Sequence, residues 1–214
     1  MSKTLGREQQ IIPGEAVSRS SSRGLVGRGL LALAALSVAG AAYADWGVAD
    51  GSSVGYVSTK NDAIAENNRF TKVTGSISES GEVQISIDLT SVETRVDVRN
   101  QRMRDIFFEV ANHPEAVISA QLDAPDLAQI EAGAPLEKTL PLTVSLHGSE
   151  ATVTASLRAV ATGGQLYVST LEPILISAGD FGLDPGVEAL REIAKLSSIV
   201  STVPVTVDLR LVKD

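Results

Sequence analysis

From residue 53 onward, apolar and polar residues alternate with a period of two, the pattern of strands with one apolar and one wet face. Val83, Ile85, Ile87 and Leu89 alternate with Glu82, Gln84, Ser86 and Asp88. Leu140, Leu142, Val144 and Leu146 alternate with Pro141, Thr143, Ser145 and His147. Ala151, Val153, Ala155, Leu157 and Ala159 face away from Thr152, Thr154, Ser156 and Arg158, and Val203, Val205, Val207, Leu209 and Leu211 close the chain in the same way. Weaker runs near 53–58, 69–77, 116–124 and 165–174 bring the expected number of strands to about eight. Turn signals at Ser80-Gly81, Gly148-Ser149 and Gly163-Gly164 separate them. The short links favour an antiparallel meander. Eight such strands can close into a barrel, which removes their edges, or pack as a two-sheet sandwich; alternation alone fits both.

Two segments change period. Over residues 97–110, the apolar residues Val96, Met103, Phe107 and Val110 recur at helical spacing. Arg95, Arg99 and Arg102, at i, i+4 and i+7, share another face, with Arg104 nearby. Thr94 and Asp97 have the spacing of a capping box, with Asp in place of Glu. A second helix is predicted over residues 185–198, with Asp184 as N-cap, Pro185 at the first helical position, and Leu190, Ile193, Ala194 and Ser197 as its buried face. Residues 124–133 are acidic and turn-rich and read as an exposed loop. The chain has no internal repeat.

Residues 1–44 stand apart. Arg23 and Arg28 precede an apolar run over residues 30–42, and Ala42-Tyr43-Ala44 has the small-x-small form of a signal-peptide cleavage site. The run is shorter than the ~20 residues that span a bilayer. The expected product therefore starts at Asp45 and has no stable membrane insertion after cleavage. There is no cysteine, hence neither a disulfide nor a lipid-bearing cysteine. A Gram-negative periplasm is the expected location, with secretion beyond the cell as the alternative. Losing the leader removes five Lys/Arg and only two Glu, which deepens the formal charge of −8. Such acidity repels nucleic acid and anionic membrane surfaces. The remaining 170 residues suit one domain. A homodimer stays open.

Candidate chemistry is sparse. Serine catalysis would need His113 or His147, the only histidines, and the chain has no Gly-x-Ser-x-Gly elbow. Asp180-Phe181-Gly182 matches a kinase magnesium motif without the phosphate loop or catalytic segment that would accompany it. Glu109 and His113 are four residues apart and could share a helix face, but a transition-metal site wants three or four ligands, and no further His or Cys is near in sequence. Neither catalytic residues nor a metal are expected, and the chain reads as a non-enzyme. The arginine row either pairs with the local acids Glu93, Asp97 and Asp105 or grips a phosphate or carboxylate.

The stretch from residue 91 to 114 resembles the YceI-like family of secreted lipid-binding barrel proteins. Ser91, Val92 and Thr94, then Arg99-Asn100, Met103, Phe107-Phe108 and His113-Pro114, fill the places of the family's pattern. Leu146-His147-Gly148 is similar to its strand-ending Leu-x-Gly signature, and Asp180-Phe181-Gly182-Leu183 to its Asp-Phe-Gly segment. The resemblance spans residues 53–212. It implies an all-β, eight-stranded antiparallel lipocalin-like barrel with two short helices. It also implies an interior that holds a long isoprenoid chain, a quinone or polyprenyl lipid, with no other cofactor. The expected lining, by polarity, is Val83, Ile85, Ile87, Leu142, Val144, Val153, Leu157, Val205 and Val207. Phe107, Phe108 and Phe181 are expected at the mouth or lid, and Arg95, Arg99 and Arg102 at a polar head group. The alternative is a filled, ligand-free barrel that docks an envelope or membrane redox partner.

Overall fold

In a computed structural model, the structure describes residues 45–213, so the segment read as a cleaved leader lies outside the described residues. Twelve strands form one sheet: β1 (Trp46–Val48), β2 (Ser53–Lys60), β3 (Ile64–Phe70), β4 (Val73–Ile77), β5 (Glu82–Asp88), β6 (Val92–Glu93), β7 (Glu115–Gln121), β8 (Leu136–Leu146), β9 (Ser149–Thr162), β10 (Gln165–Thr170), β11 (Ile174–Ser177) and β12 (Thr202–Lys213). Short breaks divide four staves into β1/β2, β3/β4, β5/β6 and β10/β11, so the closed barrel has eight antiparallel staves joined as a meander. The last stave closes on the first: Trp46 is opposite Lys213 and Val207 is opposite Val54. That closure excludes the sandwich.

Two hairpin turns show the local chemistry. Ser149 pairs with Leu146, so the β8–β9 turn is His147-Gly148, one residue earlier than Gly148-Ser149, with φ of 52° and 77°. At Gly163-Gly164 both φ values are likewise positive, which suits the right-handed twist of the flanking strands. In β4, Gly75 (φ 137°) approaches β5 so closely that a Cβ would fall 2.1 Å from the Gln84 carbonyl oxygen.

Among the described residues there are three α-helices, not two, and each differs from its sequence reading. The first, α1 (Asp97–Arg102), has Val96 as N-cap with no side-chain cap. Thr94 forms no capping box, because it is buried and its N–H and hydroxyl both donate to Asn100 Oδ1, at 2.7 and 2.6 Å. The helix continues as a π-helical stretch, Met103–Phe107, and stops there instead of reaching Val110. The Phe108 N–H donates to the Met103 carbonyl, and the wider turn buries Phe108 beside the interior.

The segment read as an exposed acidic loop is α2 (Ala124–Glu131). Asp123 and Asp126 make a reciprocal capping box, Pro125 occupies the first turn, and Leu127 and Ile130, three apart, are buried. The third, α3 (Asp184–Ala194), begins after Leu183, so Asp184 is inside the helix and is not its cap. It ends four residues early because Lys195 turns left-handed (φ 53°). Ser197 therefore lies outside it and Ile193 is exposed.

Candidate functional site

The barrel encloses a cavity of about 560 Å³, in the size range of small-molecule sites. All twelve apolar residues picked out by polarity and position line it: Val83, Ile85 and Ile87 on β5, Leu142 and Val144 on β8, Val153 and Leu157 on β9, Val205 and Val207 on β12, and Phe107, Phe108 and Phe181 from the connecting segments. The period-two alternation puts the nine strand residues there: β5, β8 and β9 pair in unbroken register with their neighbours, and Val205 and Val207 of β12 stand opposite Tyr56 and Val54. Three aromatic contacts join the lid to the wall. Phe107 and Phe108 meet edge to face at 4.7 Å, Phe108 meets Phe70 at 5.6 Å, and Phe70 stacks on Tyr56 at 5.6 Å. From α3, Val187, Leu190 and Ala194 face the cavity, and Gly186 lets the helix rest on Phe107.

The β2–β3 hairpin grades from apolar to polar along its inward face. Val54 is opposite Phe70, Tyr56 opposite Asn68 and Ser58 opposite Glu66, and Lys60 ends the row; all seven line the cavity. Exposed Val96, Val98 and Val200 also line it, which marks this end as the mouth. Sequence reasoning missed Tyr56, Ser58, Lys60, Glu66 and Asn68. The even-numbered positions of β2 already carried the signal, but their polarity masked the alternation.

The arginine row divides. Arg95 is outside the helix, at φ 63° and exposed, and does not line the cavity, so the three arginines do not share a helix face. Arg99 and Arg102 do line it. The local acids are not Arg99's partners: its Nη1 donates to Glu66 Oε2 across the mouth at 2.6 Å, and its Nη2 to the Thr94 carbonyl at 2.6 Å. Lys60 joins the same carboxylate at 2.8 Å. The Lys60 hydrogen bond, opposed by burial and helped by the Arg99 charge, holds the Glu66 carboxyl below its usual range. Burial pushes the Tyr56 phenol far above its usual range, against the opposing pull of Arg99, so it stays a neutral hydroxyl. Asn68 Oδ1 and Arg99 Nε are buried without a partner. The Asn68 amide cannot be flipped to relieve this, since its Nδ2 donates to Ser58 Oγ and to the Glu66 carbonyl, which only accepts.

At the mouth end, but outside the cavity wall, the two histidines meet. The rings of His113 and His147 are 4.3 Å apart, and His147 Nε2 lies 2.9 Å from Glu109 Oε2.

Residues 48–211 match the family model of the YceI-like domain. A solved structure of a polyisoprenoid binding domain from Saccharophagus degradans, implicated in plant cell wall breakdown, is 35% identical, with a TM-score of 0.75 over 80% of this chain and 99% of that one. The crystal structure of Burkholderia cenocepacia BcnA shares the fold at 17% identity, with a TM-score of 0.56 over 74% of this chain and 95% of that one. Comparison with curated proteins finds no significant match.

Proposed function

This chain belongs to the YceI-like domain family, and on that premise we propose that it binds a long isoprenoid chain as a non-catalytic carrier or store. The cavity carries this reading. A volume of about 560 Å³ is large enough for a flexible hydrocarbon, and its walls offer apolar surface that an occupant would cover. Its lining is mostly branched aliphatic, and a flexible hydrocarbon gains about 0.8 kcal/mol for each CH₂ it buries there. The polyisoprenoid binding domain of Saccharophagus degradans supports the choice of ligand class.

The tail lies among the Val, Leu and Ile side chains, and its head group, of quinone or polyprenyl type, lies at the mouth. There Tyr56 can donate or accept a hydrogen bond, Arg99 and Arg102 supply positive charge, and Asn68 and Arg99 hold polar atoms in need of partners. Export to the periplasm follows from the reading of residues 1–44 as a cleaved leader.

Mass spectrometry of an organic extract tests this, with an unrelated exported protein purified in the same way as control. A near-stoichiometric isoprenoid present only in the test sample is expected. A clean extract, with no thermal shift on adding ubiquinone or a polyprenyl phosphate, would leave a ligand-free docking module as the better reading.

A further inference from the structure

The chain has two histidines in all, and the fold brings both to one carboxylate. Glu109 follows the lid phenylalanines, His113 precedes β7, and His147 sits in the β8–β9 turn, 38 residues from Glu109. One donor atom from each lies within 4.8 Å of the others. Both imidazoles are half-buried and the carboxylate is exposed, so the group opens to solvent on one side.

We propose that Glu109, His113 and His147 form a site for a divalent first-row transition-metal ion of the zinc type. Two imidazoles and a carboxylate are borderline donors suited to that class, and three protein ligands leave a position open for water. Ligand bonds of about 2.0–2.1 Å set tetrahedral donors roughly 3.4 Å apart. The present spacing, at most 4.8 Å, leaves a gap of about 1.4 Å or less per pair for the side chains to close.

The backbone is costly for these residue types. Glu109 (φ 48°) and His147 (φ 52°) are both left-handed, where a non-glycine residue costs about 1–2 kcal/mol. A helix end and a tight hairpin turn ordinarily place Gly or Asn at such positions. Here they carry ligand-type side chains instead. Gly148 (φ 77°) lies against the His113 ring, where a Cβ would sit in ordinary contact 3.4 Å from Cε1.

The site also has a mechanical consequence. Glu109 directly follows Phe107-Phe108 and His147 directly follows Leu146, and those three residues line the cavity. A bound ion would clasp the lid to the barrel wall.

The test uses metal-free protein without a histidine tag, titrated with Zn²⁺ at neutral pH. Calorimetry is expected to give one saturable site per chain, with affinity lowered at least tenfold in Glu109→Gln, His113→Gln and His147→Ala. Zn²⁺ should raise the melting temperature of the unaltered chain and not of these variants. The imidazole resonances of His113 and His147, the only two in the spectrum, report directly on the unaltered protein, so the test stands even where a variant folds poorly. Absence of a saturable site, or saturation with both imidazoles unshifted, overturns the proposal.

Discussion

The two ends of the barrel are built from the same alternating strands, yet one is packed and the other hollow. At the packed end, α2 buries Leu127 and Ile130 in one cluster with Leu136 of β8 and Leu122 just past β7, and Trp46, Leu166 and Leu211 are all at most 3% exposed. At the hollow end no side chain fills the interior, and Val96, Val98 and Val200 stay exposed around the mouth. β12 crosses both regions. Its inward residues are half-buried Val203, Val205 and Val207 towards the mouth, then buried Leu209 and Leu211 at the inner end of the cavity, beside the packed half. Alternation sets which residues face inward; their size, and what caps each end, sets whether space remains.

Substitutions should separate the two ends, and the largest effects belong to the packed one. Gly75→Ala places a methyl group against the β5 backbone at a positive φ, and is expected to cost about 3 kcal/mol or more in denaturant unfolding. Ile130→Ala in the α2 plug should cost about 2–5 kcal/mol while bound lipid remains extractable from the folded fraction. If Ile130→Ala instead emptied the cavity without lowering stability, the plug would belong to the ligand site.

At the hollow end the order reverses. Val153→Phe adds bulk facing open volume, so it should change stability by less than about 1.5 kcal/mol and strongly reduce the isoprenoid recovered by extraction. Tyr56→Phe keeps the stacked ring and removes only the hydroxyl. The expected loss of ligand affinity is about 0.5–1.5 kcal/mol, up to roughly tenfold, measured by competition with a fluorescent isoprenoid.

The smallest effect is in pH dependence. The Glu66 carboxyl is held below its ordinary value of 4.5, so its ion pairs stabilise the folded state fully above that value. The contribution falls away as pH drops through the lower, folded-state value. Glu66→Gln should therefore flatten the stability profile below about pH 4.5 and cost no more than about 1 kcal/mol at neutral pH. An unchanged acid profile would mean that the mouth cluster adds nothing to stability.

Much of the fold was legible because period two is a local property. The four strong runs, the weaker ones between them and the nine lining residues on strands follow from it, whereas Phe107, Phe108 and Phe181 came from the family pattern. The α2 helix was legible in part: Asp123, Pro125 and Asp126 carry its start signals, but acidity and small residues made the segment look like a solvated loop. The lid helix shows a different limit. Its apolar spacing suggested α-helix to Val110, whereas the π turn inserts a residue and buries Phe108, a choice made by packing against Phe70. The mouth was least visible, since Tyr56, Asn68 and Glu66 interrupt the very alternation that marks a strand.

By itself, then, the sequence determined the strands, their inward faces and the family, because alternating residues must share a face and the motif residues are close together along the chain. Closure of the barrel over a sandwich, the volume left inside, the Arg99–Glu66 pair across the mouth and the meeting of Glu109, His113 and His147 were decided only by the tertiary structure. Each depends on distances between segments tens of residues apart. Those distances arise from strand register and helix docking, which local patterns of polarity do not encode.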